Sequence, residues 1–193
     1  MIIFTKLRYK NFLSSGNIFT EIDLNSHKNT LVMGHNGSGK STLLDALTFS
    51  LFGKPFRKVN KGNVVNSINN KHCLVEIEFA INDKNYKVIR GVKPNVFEIW
   101  LNDIMLNQDA AARDYQDHLE KNILKMNFKT FTQVVILGSA SFVPFMQLSP
   151  ADRRSVIENL LDIQIFSAMS TVVKNRLQIN RDSLERKIGR AHV

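Results

Sequence analysis

The residues best equipped for chemistry run from Gly34 to Thr42, GHNGSGKST, and fit the pattern G-x-x-x-x-G-K-[ST]. Its glycines carry no Cβ to hold the backbone away from a ligand, so successive N–H groups can converge on a chain of phosphates. Lys40 adds a point charge on a long stem that can reach β- and γ-phosphates. The Ser41 hydroxyl suits a Mg2+ ligand position, and Thr42 is placed to donate to an α-phosphate. The residues expected to bind ATP with Mg2+ are therefore Gly34, Asn36, Gly37, Ser38, Gly39, Lys40, Ser41 and Thr42.

Such a loop works only between a strand that delivers it and a helix whose positive end faces the phosphates. The run NTLVM directly before it is apolar on both faces and predicts a central strand. After it, Leu43, Leu44, Leu47, Leu51 and Phe52 have the spacing of an amphipathic helix over 41–52, ending at Gly53 with Pro55 just beyond. Upstream, IIFTKLRYKNF and IFTEIDL alternate as half-buried strands. Residues 53–73, rich in Gly, Asn and Lys, read as a long surface connection. LVEIEFAI, KNYKVIRGV and VFEIWLN then form a second run of alternating strands.

Helical patterns follow over 110–124, from Phe128 to about Leu137, and over 150–161, the last with Ser149 as N-cap, Pro150 at the first position and Asp152 in the first turn. From Phe166 onward, Met169, Val173, Leu177 and Leu184 recur at three- and four-residue steps, which begins a coiled-coil seam.

Composition narrows the class. The chain has 193 residues, 44% of them hydrophobic and 22% charged, enough for one core of ordinary size. No segment approaches the roughly 18 apolar residues of a membrane span, and charges near the N-terminus come too early for a secretory leader, so a cytoplasmic protein with no membrane partner is expected. Cys73 is the lone cysteine and forms no ligand spacing with His72 or His118. The net charge of +9 is lopsided: residues 1–93 hold 14 Lys and Arg against 6 Asp and Glu, and residues 94–193 hold 12 against 11. A surplus gathered around the loop half predicts a polyanionic partner, with DNA the usual one.

The chain lacks the N-K-x-D element of GTPases, and antiparallel strands flank its loop on both sides, followed by helices. That is the layout of an ABC-type ATPase head. More specifically, LRYKNFLSSG, NGSGKSTLLDALTFSLFGKPFR, FTQVVILGSASFVPFMQLSPADRRSVIENLLDI and the incipient coiled coil together resemble the N-terminal half of the SbcC/Rad-fifty family, in its phage branch, over residues 2–187. The resemblance implies an α/β P-loop NTPase of the ABC head type: an N-terminal lobe with an antiparallel β subdomain, a central P-loop strand, a helical region and the start of an arm. It also implies that Gln133 is the Q-loop glutamine, contacting Mg2+ and the attacking water, with Lys40 and Gln133 as the catalytic pair and Ser41 and Gln133 as metal ligands. In KNFLSS, where cellular members carry Arg, this chain has Leu13, leaving Asn11 or Ser14 for any nucleotide contact there.

The family's Asp-Glu strand end and Ser-rich signature do not occur in this sequence. The implied organisation is an ATPase lobe over residues 1–161, the start of a coiled-coil arm over 162–187, and a non-native tail over 188–193, KIGRAHV being also what a common sequencing-adapter oligonucleotide encodes. The implied partners are DNA, the protein's own C-terminal lobe, a second copy and an SbcD-type nuclease subunit, acting in double-strand break repair and recombination. The competing expectations are a RecF-, RecN- or SMC-like ATPase without a nuclease, and a generic P-loop NTPase.

Overall fold

Period-two alternation builds a sheet of six strands: β1 (Ile2–Lys10), β2 (Thr20–Asp23), β3 (Cys73–Ile81), β4 (Lys84–Val92), β5 (Val96–Leu101) and β6 (Ile104–Met105). Their order is β2-β1-β3-β4-β5-β6 and every pairing is antiparallel. The computed structural model describes residues 1–57, 59–106, 112–136, 143–161 and 163–191. Its backbone falls into two units, Met1–Phe142 and Val143–Val193, and the sheet belongs to the first.

The register aligns Leu7 with Ile77, and Tyr9 with Val75, across β1 and β3. One face therefore buries Leu7, Tyr9, Val75, Ile77, Phe79, Val88 and Ile99. The other face carries charge and neutralises it locally: Arg8 lies 2.6 Å from Glu76, Lys6 3.3 Å from Glu21, and Lys87 3.5 Å from Glu76. A bulge between Phe4 and Lys6 shifts the phase of β1. Strict alternation would put Ile3 inside with Leu7. Phe4 turns inward instead, its ring 5.8 Å from Phe79 and 6.0 Å from Phe131, and Ile3 stays exposed.

Helix α1 (Lys40–Phe52) crosses the inner face. The sequence predicts one dry side, yet every residue from Asp45 to Phe52 is buried. Thr48 and Ser50 tolerate this because their hydroxyls donate back to the carbonyls of Leu44 and Leu47, at 3.0 and 2.8 Å. Gly53, at φ 68°, closes the helix by donating its N–H to Phe49 O at 2.8 Å. Of the helix expected over 110–124, α2 covers Ala112–His118 and a π-helical turn covers Leu119–Leu124, ended by Lys125 at φ 53°. α3 (Phe128–Val134) starts at Asn127, whose side chain accepts the Thr130 N–H; it ends earlier than expected, at a C-cap on Val135 with Ile136 no longer helical, and Leu137 lies outside the described residues.

One expectation is corrected. The segment before the loop, NTLVM, forms no strand, and Leu31, Val32 and Met33 are 81%, 50% and 80% exposed. A strand apolar on both faces needs a neighbour on each edge to satisfy its backbone. The six-stranded sheet contains no partner for this segment.

In the second unit, Ser149 Oγ accepts the Asp152 N–H at 3.2 Å and Pro150 opens α4 (Pro150–Leu160), as expected. α5 (Gln164–Ala191) follows, tied back where Ser167 Oγ donates to Glu158 at 2.7 Å. Phe166, Met169, Val173, Leu177 and Leu184 are all exposed along it, and its helical backbone continues past Gly189. Among the described residues, no helix is long and apolar enough to cross a membrane.

Candidate nucleotide-binding site

The loop expected to hold phosphates turns at two left-handed glycines, Gly37 at φ 87° and Gly39 at φ 92°. Gly39 occupies the N-cap of α1 without a side-chain cap, and no acidic residue stands in the first turn. The first amides of α1, apart from that of Thr42, are thus left for an external anion, with the helix dipole adding to their attraction. A Cβ on Gly34 would sit 2.5 Å from Ser38 Oγ, so a side chain at the loop's entry would make that hydroxyl rotate away.

Lys40 lies across this loop. Its Nζ donates to the carbonyls of Gly34 at 2.7 Å and His35 at 2.8 Å. The ammonium is held beside the amides that would cradle phosphates. Ser41 is exposed, whereas Thr42 is buried with its N–H on Gly39 O at 2.9 Å.

Other expected residues are placed differently. α3 is anchored by Phe128 and Phe131, whose rings lie 5.7 and 5.2 Å from Phe52 at the end of α1 opposite Lys40. Gln133, two residues on, makes no hydrogen bond with residues 34–42 among the described residues. Its amide oxygen is buried without a partner. Asn11 is only 1% exposed, and its side chain is committed elsewhere: Nδ2 donates to Asn17 and to His72 O, and Oδ1 accepts from Asn69. It belongs to a polar seam joining residues 11–17 to 66–72, and both of its amide hydrogens are already committed there.

Two sets of residues carry the loop helix yet were not legible as functional. Asp45, wholly buried within α1, accepts the Arg57 N–H at 2.9 Å and its Nε at 2.7 Å, with Nη2 at 2.5 Å. This pins the connection after α1 back onto the helix. Arg90 reaches the opposite end, donating to Ser50 O at 3.1 Å. The one sequence signal was an arginine in phase with Val88 and Val92 on β4's apolar side.

A phosphate loop opening a helix, beside an antiparallel β subdomain and followed by helices, defines the head of a P-loop ATPase. A family model described as an AAA domain matches residues 6–188, and the chain belongs to that family. Exonuclease subunit 2 of Escherichia phage RB69 is 43% identical over 173 residues, covering 90% of this chain and 31% of the phage protein. Exonuclease subunit 2 of Enterobacteria phage T4 is 44% identical, covering 88% and 30%. One component of nuclease SbcCD from Staphylococcus haemolyticus is 25% identical, covering 98% and 20%. The chain therefore spans less than a third of the length of these relatives.

Among solved structures, one from work on ATP-driven dimerization and DNA-stimulated activation of SMC ATPases superposes with a TM-score of 0.57 at 25% identity, covering 82% of this chain and 99% of that one. The Smc head domain of Pyrococcus furiosus, with an extended coiled coil, superposes at 0.61 and 23% identity, covering 96% and 48%. The fold is that of an SMC-like ATPase head.

Proposed function

We propose that this chain is the ATP-binding lobe of an SMC-like ATPase that works with a nuclease subunit on DNA double-strand ends. The observation that carries this reading is the loop at the start of α1: an uncapped helix N-terminus, left-handed Gly37 and Gly39, and Lys40 poised on the carbonyls of Gly34 and His35. The residues fit Mg-ATP. Lys40 would exchange its carbonyl bonds for phosphate oxygens, and exposed Ser41 would offer its hydroxyl to the metal. Bound metal would supply charge neutralisation at the γ-phosphate. The role of Gln133 in orienting water rests on the family resemblance, and it requires that the buried amide oxygen be carried to the metal by movement of α3.

The exposed run Leu31–Val32–Met33 supports a second lobe. Strands from that lobe would flank it and complete the sheet behind the phosphate loop. The names of the phage and SbcCD relatives support a nuclease partner, the SMC structure supports head dimerisation driven by ATP, and the basic loop half supports contact with DNA.

A titration with a fluorescent ATP analogue and Mg2+, followed by an ATPase assay with and without an added C-terminal lobe and DNA, tests the reading. The chain should bind nucleotide, lose about ten- to hundredfold in affinity as Lys40→Ala, and turn over only when the second lobe is present. Turnover by the chain alone would overturn the assignment.

A further inference from the structure

Arg90 stands on β4 between Val88 and Val92, opposite Val75 on one neighbouring strand and Phe97 on the other. It is a charge set into an apolar face. Its guanidinium lies 3.8 Å from the centre of the Phe97 ring. Nε donates to Ser50 O at 3.1 Å, and Nη2 donates to Gln116 Oε1 at 2.6 Å and approaches Leu51 O at 3.5 Å. Gln116 continues the chain, donating through Nε2 to Leu51 O at 3.1 Å and to Glu120 at 2.7 Å. Among the described residues no carboxylate pairs with Arg90 directly. Burial pushes its ionisation down to about 10, and the field of Glu120 opposes that shift.

What compensates the charge is the C-terminal pole of α1. Ser50 and Leu51 belong to that helix's last turn, where carbonyls without helical partners carry the negative end of the dipole. The neighbouring Gly53 makes room: its φ is 68°, and a Cβ there would lie 3.1 Å from Arg90 Nη1. Glu120, four residues on from Gln116, braces it from the π-helical turn, so three separate elements (β4, α2 with its π turn, and α1) meet at one guanidinium.

We infer that Arg90 is a positioning residue for the nucleotide site, holding the C-terminal end of α1 so that its N-terminal end presents the phosphate loop at a fixed tilt and rotation. The inference rests on the nucleotide-binding reading above. Direct attraction between Arg90 and a bound phosphate is weakened by distance, the length of α1 being about 18 Å. Leverage is the larger effect. A helix released at Ser50 pivots about its buried middle and carries the amides near Gly39 away from convergence.

Binding of a fluorescent ATP analogue with Mg2+, measured beside thermal melting and the amide resonances of Gly37, Gly39 and Lys40, tests this in the wild type, Arg90→Lys, Arg90→Met and Gln116→Leu. Arg90→Lys keeps the charge and loses the fork, and Gln116→Leu keeps Arg90 and loses its brace. Both are expected to stay folded at the titration temperature, to shift the three amide resonances in the absence of nucleotide, and to bind about fivefold more weakly, with Arg90→Met weaker still. If Arg90→Met does not fold, the other two variants decide. Wild-type affinity in these folded variants overturns the inference, even where they melt earlier, and leaves Arg90 as a stability cap alone. A wild-type chain that binds no better than Lys40→Ala overturns the nucleotide reading and this inference with it.

Discussion

At the residue scale, Lys40 is satisfied within its own loop. An ammonium with no acceptor beside a row of N–H donors would be poorly solvated; bonds of 2.7 and 2.8 Å to the carbonyls of Gly34 and His35 satisfy it while holding the turn closed. Asp45 presents the opposite problem, a carboxylate wholly removed from water and held by Arg57. Arg57→Ala leaves that carboxylate with only the backbone N–H and should cost about 3–5 kcal/mol, read from the urea midpoint. An unchanged midpoint would mean that Asp45 finds water instead.

Cys73 is buried at the start of β3, and burial raises its thiol from 9.0 to about 12. The thiol should resist modification in mildly alkaline buffer and react at once in denaturant. The folded state keeps this proton after the unfolded chain has lost it. Its contribution to stability is therefore complete below about 9 and drains away by about 1.4 kcal/mol per pH unit between about 9 and about 12.

At the scale of elements, α1 is the component on which the site depends, and opposite chemistry engages its two ends. The N-terminal pole stays open for anions, and the C-terminal pole is closed by Gly53 and Arg90. Gly53→Ala combines a left-handed backbone with contact against the guanidinium and should destabilise by about 1–2 kcal/mol, measurable as a lowered melting temperature. In the second unit, Ser149→Ala removes the cap of α4 and should cost about 1 kcal/mol, seen as loss of helical circular dichroism at lower temperature.

At the scale of the whole molecule, the feature that asks for more protein is the exposed run Leu31, Val32 and Met33. Each such side chain contributes about 1.5–3 kcal/mol when fully buried. The chain by itself should bind a hydrophobic dye and self-associate, and an added C-terminal lobe should suppress both. Replacing Leu31 and Met33 together by Ser should reduce dye binding and weaken capture of that lobe. Undiminished capture would show that the second lobe docks elsewhere. The outer sheet face, by contrast, pairs its cations with Glu21, Glu76 and Glu78, so charge on that face is largely neutralised locally.

The phosphate loop, the ends of α1, the cap of α4 and five of the six strands could be read in advance because each is local: a few neighbouring residues determine backbone conformation and the side that is dry. The short strand β6, with only Ile104 and Met105, offered too little pattern. Phase within β1 escaped because its bulge answers to packing of Phe4 on Phe79 and Phe131, far along the chain. The partners of Asp45, Arg90 and Asn11 escaped for the same reason, since a salt bridge or buried hydrogen bond is defined by what tertiary folding brings opposite. NTLVM marks the boundary most clearly. Its composition alone determined only that it is apolar on both faces, and the tertiary structure decided that it pairs with no strand among the described residues, because a strand's pairing is a property of its neighbours.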